Sequence, residues 1–257
     1  MERSFSKEVQ SLRLGDGDTF HGEGILAVTK ALLQSGVSYV GGYQGAPISH
    51  LLDVLCDAED IMSELGVHLE TCTGEASAAA MLGASIHYPL RGAVTWKSVV
   101  GTNVASDALS NLASTGVTGG SLIILGDDYG EGSSIMQERT YTFAMKSAIP
   151  LIDPRYDMAR MVELTEHCFG ISEASNMPVF LNMRIRACHL TGSFTAKDNK
   201  IAEFNANNPI PEQKYDVTKI VLPPASYQHE VAKFEERLPA AVNYAKEHSI
   251  NELFAGN

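Results

Sequence analysis

Between residues 22 and 184, short apolar runs are each followed by a segment with helical spacing, and this alternation constrains the chain more than any other feature. Parallel strands need a crossover to reconnect them, and a helix is the usual one. The order therefore predicts an α/β fold: a doubly wound, mostly parallel sheet with helices on both faces. Strands are predicted over residues 38–43, 67–70, 93–96, 121–126, 150–152 and 179–184, and helices over 22–35, 48–65, 76–87, 104–114, 136–147 and 156–175.

Ligands on open α/β sheets gather in the crevice outside the carboxyl ends of the strands. In this chain the polar, glycine-rich segments fall at those ends. They are Gly41-Gly42-Tyr43-Gln44-Gly45-Ala46-Pro47, Thr71-Cys72-Thr73-Gly74-Glu75, Lys97-Ser98-Val99-Val100-Gly101-Thr102-Asn103 and Asp127-Asp128-Tyr129-Gly130-Glu131-Gly132-Ser133-Ser134. All of them are expected to converge on one edge of the sheet.

After Arg186 the texture changes. Residues 199–214 are polar with two prolines, 217–224 read as one extended segment, and 227–246 as an amphipathic helix that Pro239 kinks. The expected organisation is an N-terminal extension over 1–20, a main domain over 21–195, and a C-terminal extension or linker with one helix over 196–257. The chain is expected to stop where a second domain begins in a longer relative.

With 257 residues, 44% of them hydrophobic, there is material for a substantial core. A formal net charge of -12 argues against a nucleic-acid surface, which needs clustered Lys and Arg. The four cysteines, Cys56, Cys72, Cys168 and Cys188, show no C-x-x-C spacing, so no metal or iron–sulfur cluster is expected on this chain. No apolar run approaches the roughly 20 residues of a spanning helix. The reading is a cytoplasmic protein with reduced thiols and no membrane contact.

Taken in order and at their spacings, the loops carry a resemblance. Gly41 to Pro47, Gly74-Glu75-Ala76 through Gly83-Ala84-Ser85, and Thr95-Trp96-Lys97 through Asn103-Val104-Ala105-Ser106-Asp107 lead. Thr115-Gly116-Val117-Thr118-Gly119-Gly120, Asp127-Asp128 with Ser133-Ser134, Ile149-Pro150, and Arg184-Ile185-Arg186 with His189 follow. Over residues 20 to 245 the chain resembles the first, pyrimidine-side domain of the alpha subunits of the 2-oxoacid:ferredoxin oxidoreductase family, indolepyruvate:ferredoxin oxidoreductase among them.

The resemblance implies a thiamine-diphosphate-enzyme pyrimidine-binding fold and a cofactor shared between domains. A partner subunit or domain would carry the diphosphate and magnesium, another the iron–sulfur clusters, and a ferredoxin-like acceptor would take the electrons. The whole would be a hetero-oligomer, with a 2-oxoacid such as pyruvate or indolepyruvate as substrate and an acyl-CoA as product. Glu75 matches the family's catalytic glutamate, which hydrogen-bonds the pyrimidine. Gly45, Pro47 and Asn103 match cofactor-contacting positions, and Gln44, Ala46 and Lys97 the substrate side.

Proton exchange with the pyrimidine ring calls for a buried carboxyl of raised pKa. The bland alternative for Glu75 is a surface carboxylate opposing a helix dipole. The small, apolar helix after it argues instead for burial between layers or subunits. Lys97 can attract a substrate carboxylate or be a solvated surface lysine. Thr102 and Asn103 can bind ligand or cap the next helix. Relatives commonly place a hydroxyl before the proline; Ala46 lacks it, so Gln44 takes over or the substrate differs, or else Ala46 and Pro47 merely turn the chain into a helix.

Ile135-Met136 replaces residues that are polar in relatives and implies a more apolar pocket. Arg184 and Arg186 suit an anion or an interface ion pair, and His189 reads as structural. Gly15-Asp16-Gly17 imitates a metal and diphosphate motif, yet precedes the first sheet strand without a following Asn-Asn, and reads as a turn. Gly22-x-Gly24 lacks the strand and third glycine of a dinucleotide fingerprint. Two other functions stay open: a pyrimidine-side subunit of a non-oxidative thiamine-diphosphate decarboxylase, and a non-catalytic assembly module.

Overall fold

A computed structural model of the chain describes residues 4–128, 130, 139–212 and 216–254. In chain order the first half contains β1 (Thr19–Glu23), α1 (Gly24–Gln34), β2 (Tyr39–Gly42), α2 (Ser49–Asp57), α3 (Glu59–Leu65), β3 (His68–Thr71), α4 (Glu75–Met81), α5 (Ala84–His87), β4 (Gly92–Lys97), α6 (Val100–Val104) and α7 (Ser106–Thr115). The second half contains β5 (Ser121–Asp127), α8 (Thr140–Ser147), β6 (Leu151–Ile152), α9 (Met158–Ser175), β7 (Val179–Arg184), α10 (Ile185–His189), β8 (Thr191–Thr195), α11 (Ala225–Ala232) and α12 (Leu238–Glu247).

The expected doubly wound α/β sheet is present. Six strands run in the order β3-β2-β4-β5-β7-β6, and every neighbouring pair is parallel. Alternation along the strands places two cores on opposite faces. Leu122, Ile124, Val179, Leu181 and Met183 join α1, α2 and α9 in one core. Val94, Trp96, Ile123, Leu125 and Phe180 join α4 and α7 in the other.

The chain moves outward from β2 to β3, then resumes on the other side at β4. A switch point therefore lies between the carboxyl ends of β2 and β4, where such sheets bind ligands.

All six predicted strands appear within a residue or two of the expected bounds. Several helices differ. The segment 48–65 breaks at Ala58 into α2 and α3, and 76–87 breaks near Leu82 and Gly83 into α4 and α5. The first helix starts at Gly24 because residues 19–23 form β1, paired antiparallel with β8 across Phe20 and Phe194, whose ring centroids are 4.8 Å apart.

Residues 217–224 are not a single extended segment: Val217–Lys219 forms a 3-10 turn. The C-terminal helix is continuous through α11, a π segment at Lys233–Arg237 and α12, with the distortion just ahead of Pro239, whose ring denies the regular hydrogen-bond ladder. Phe5, Val9 and Leu12 from the N-terminal segment and Ala241 from α12 enter the α1–α9 core.

Candidate active site

The loops after β2, β3 and β4 meet near the switch point, where Asp128, just after β5, joins them through Lys97. The loop after β2 packs on the end of β4 through Gly45, where a Cβ would stand 2.5 Å from the Cβ of Lys97. That contact leaves no room for any side chain at residue 45. Ala46 and Pro47, joined by a cis bond, form a turn, and α2 starts only at Ser49, so Pro47 does not open the helix.

Glu75 begins α4 and is 8% exposed. Its carboxylate lies against α6: a Cβ on Gly101 would be 2.9 Å from Glu75 Cγ, 3.0 Å from Glu75 Oε1 and 2.5 Å from Trp96 Cδ1. Trp96 is fully buried and its indole N–H donates to Thr102 Oγ1 at 3.2 Å. A packed indole and a bare backbone thus hold the carboxylate in place. Thr102 is committed to Trp96, and α7 begins after Ala105 without a side-chain cap, so neither Thr102 nor Asn103 caps it.

Between Lys97 and α6, Val99 adopts φ 66° and ψ −85° while 4% exposed. A β-branched residue strongly avoids that region, and such strain collects at ligand-binding loops.

Lys97 Nζ donates to the Ala46 carbonyl at 2.7 Å and to Asp128 Oδ2 at 2.8 Å. It is not a solvated surface lysine, since 18% of its side chain is exposed. An ammonium has three N–H donors, so one remains for an anion. The neighbouring carboxylate, Asp127, faces other partners: Thr140 Oγ1 lies 2.8 Å from Asp127 Oδ2 and 2.7 Å from Ser98 Oγ.

The remaining predicted residues sit at the rim. Gln44 is exposed and its amide donates to Asp53 on α2 at 2.8 Å. Asn103 is exposed in the last turn of α6. A cavity of about 520 Å³ opens beside Gln44 between the loops after β2 and β3, with Tyr43, Leu52, Cys56, Thr71 and Cys72 in its walls.

A second cavity of about 520 Å³, lined mostly by apolar groups such as Tyr39, Met81, Tyr88, Phe204 and Ile210, lies at the β3 edge. Its Tyr39 hydroxyl is already bonded to Ser85, and its Ser38 hydroxyl to the Phe204 carbonyl. Orienting polar groups are what distinguish a site from a hollow, and the switch-point crevice has them.

The helix after Glu75 is only half covered. Ala78, Ala79 and Leu82 are buried, whereas Ala76, Ser77 and Ala80 face solvent in this chain. Arg184 pairs with Asp153 at 2.5 Å, and His189 Nδ1 lies 3.9 Å from Glu23 Oε2. Gly15, Asp16 and Gly17 form a turn held by Asp18 and Asp198. The stretch 131–138, with Ser133-Ser134 and Ile135-Met136, lies outside the described residues. Among the described residues no group of three or more His, Cys, Asp and Glu side chains is placed to hold a metal.

Gly101, Asp128 and Trp96 had no individual role in the sequence reading. Each matters through a neighbour distant in sequence, a relation that spacing does not encode.

The arrangement is that of a doubly wound α/β domain with a largely buried carboxylate close to its switch point. The fold is shared with a 2-oxoglutarate:ferredoxin oxidoreductase from Magnetococcus marinus, solved with 2-oxoglutarate, coenzyme A and succinyl-CoA bound: TM-score 0.66, 15% identity, covering 88% of this chain and 45% of that one. A putative thiamin diphosphate-dependent enzyme from Mycobacterium smegmatis shares it too, with TM-score 0.52 and 17% identity, covering 76% of this chain and 34% of that one.

In sequence the chain resembles the indolepyruvate oxidoreductase subunit IorA, as its loops led one to expect. The protein of that name from Methanothermobacter thermautotrophicus is 27% identical over 95% of this chain and 38% of its own length. The one from Pyrococcus abyssi is 26% identical over 82% and 33% respectively. The chain thus spans little more than a third of these relatives. No family model matches it.

Proposed function

We propose that the chain is the pyrimidine-side part of a thiamine-diphosphate-dependent 2-oxoacid:acceptor oxidoreductase. It would take part in oxidative decarboxylation of a 2-oxoacid to an acyl-CoA, with electrons passing to ferredoxin or a similar acceptor. The observation that carries this reading is Glu75: a carboxylate buried at the switch point, seated on Gly101 and Trp96, and given no hydrogen bond or ion pair by the described residues. A largely buried carboxylate that still has acceptor capacity to spare suits a ligand's donor.

The residues fit the aminopyrimidine end of the cofactor. When bound, thiamine diphosphate supplies the electron sink for decarboxylation. Glu75 would hold and return a proton at the ring nitrogen N1', strengthened by the low dielectric around it. Gly45 and Pro47 shape the loop against which the ring would rest, and Asn103 stands at its rim. Lys97 offers its third N–H to the substrate carboxylate, while Ala46 and Gln44 border the place of the substrate, Gln44 beside the 520 Å³ cavity.

The diphosphate and magnesium are assigned to a partner domain, the iron–sulfur clusters to a further one, and the assembly to the cytoplasm as a hetero-oligomer. The relatives' name as a subunit supports partners. So do the exposed apolar side chains of Tyr43, Val100 and Val104, on the loop after β2 and on α6. No described helix is long and apolar enough to cross a membrane.

The test is purification of the native assembly, followed by coenzyme A-dependent reduction of a viologen dye with indolepyruvate, pyruvate or 2-oxoglutarate. An assembly carrying thiamine diphosphate and iron and active on one of them is expected. An assembly with neither group, inactive on all three, would overturn the reading.

A further inference from the structure

The crevice contains an ion pair that proton exchange at Glu75 does not require. Only 3% of the Asp128 side chain and 18% of that of Lys97 are exposed. The ammonium ties three loops together: the one after β2 through the Ala46 carbonyl at 2.7 Å, the one after β4 through Lys97 itself, and the one after β5 through Asp128 at 2.8 Å. The lysine stem supports the same contact, because the loop carrying Ala46 lies on its Cβ at Gly45. An ammonium is a compact charge on a flexible stem, without the planar fork that fixes an arginine. Two acceptors are needed to hold it.

Adjacent carboxylates repel, but among the described residues Asp127 and Asp128 reach different partners. Asp127 goes to Thr140, and through its hydroxyl to Ser98, while Asp128 goes to Lys97. The two residues therefore hold different groups, and Asp128 reaches the crevice through its contact with the lysine.

We propose that Asp128 is a positioning residue that acts through Lys97, fixing its ammonium as a clamp on the loop of Ala46 and Pro47 and leaving the third N–H for the substrate carboxylate. The substrate half rests on the function proposed above; the clamp does not. It makes Lys97 a structural member of the crevice as well as an anion contact.

The test is amide hydrogen exchange on the chain itself, in wild type, Asp128→Asn, Lys97→Ala and the double variant. Tyr43 and Ile48, whose amides donate to Thr95 O and Gly45 O at 3.0 Å, are the reporters. Each single variant should speed their exchange about tenfold, and the double variant no further, since coupled residues are not additive. Asp128→Glu, which keeps the charge, should restore much of the protection, and melting curves identify any variant that merely unfolds.

In the assembled enzyme, with indolepyruvate as probe, both single variants should raise KM far more than they lower kcat, and Asp128→Asn should add nothing on the Lys97→Ala background. Additive effects in exchange, or an undiminished effect of Asp128→Asn without Lys97, would overturn the clamp. Coupled exchange in an assembly that turns over no 2-oxoacid would leave the clamp standing and remove the function instead.

Discussion

At Gly101 a hydrogen in place of a methyl decides where the Glu75 carboxylate lies. An added Cβ would meet Trp96 Cδ1 at 2.5 Å, and neither the buried indole nor the carboxylate has room to retreat without leaving its place. Gly101→Ala should therefore cost about 1–3 kcal/mol of stability by overpacking. It should also lower turnover of the assembled enzyme more than that stability loss explains. Denaturant titration beside steady-state kinetics checks this, and a variant with wild-type turnover would show that the seat is not needed. The burial of Glu75 was legible because a helix of small, apolar residues follows it, whereas the role expected of it came from the resemblance of its loop. Gly101 and Asp128 were not legible, since their importance lies in contacts with Glu75 and Lys97 that only the folded chain creates.

Helix α6 shows the same division at the scale of an element. Gly101 and Thr102 face the core, whereas Val100 and Val104 are 44% and 53% exposed. Val104→Asp should leave the chain's melting temperature within about a degree, as surface substitutions usually do, yet weaken association with the partner domain at least tenfold, as for a charge buried without a partner. Sedimentation of reconstituted mixtures tests this; unchanged association would place the interface elsewhere.

The central parallel strands were legible because each is a short run buried on both faces, as β5 is throughout, whereas the edge strand β3 is mostly exposed. The β1–β8 ribbon was not legible. Each of its strands buries only one residue, Phe20 or Phe194, and the partner lies far away in sequence. The breaks at Ala58 and near Gly83 were equally hidden, because apolar spacing continues through them.

Over the whole molecule, Lys30 on α1 ties together segments far apart in sequence. Fully buried on α1, it donates to the carbonyls of Leu12 and Leu14 from the N-terminal segment and to Asn199 Oδ1 from the C-terminal one. Burial disfavours its charge and lowers its pKa from 10.5 to about 8, against the pull of Asp198 and Asp18. Below about pH 8 both folded and unfolded chains carry this proton, and the folded state bears the cost of burying it. Between 8 and 10.5 the unfolded chain binds the proton that the folded one has shed, so this group makes stability rise with pH, at most about 1.4 kcal/mol per unit.

Above pH 9 the buried thiols act in the opposite sense, as with Cys188, pushed up from 9.0 to about 12 by burial. The window for Lys30 is therefore pH 8 to 9. Urea unfolding should show wild-type stability rising there while Lys30→Met stays flat; parallel curves would contradict the assignment.

The central claim is that Glu75 exchanges a proton with a cofactor shared between this chain and its partner, and hydrogen–deuterium exchange at C2 of thiamine diphosphate in the reconstituted assembly tests it most directly. Glu75→Gln keeps the shape and a hydrogen bond but cannot pass the proton. Exchange should slow by roughly two to four orders of magnitude, as for loss of a general acid–base, with cofactor binding changed far less. Lys97→Ala should leave that exchange nearly intact. Wild-type C2 exchange in Glu75→Gln would make the carboxylate structural and contradict the account.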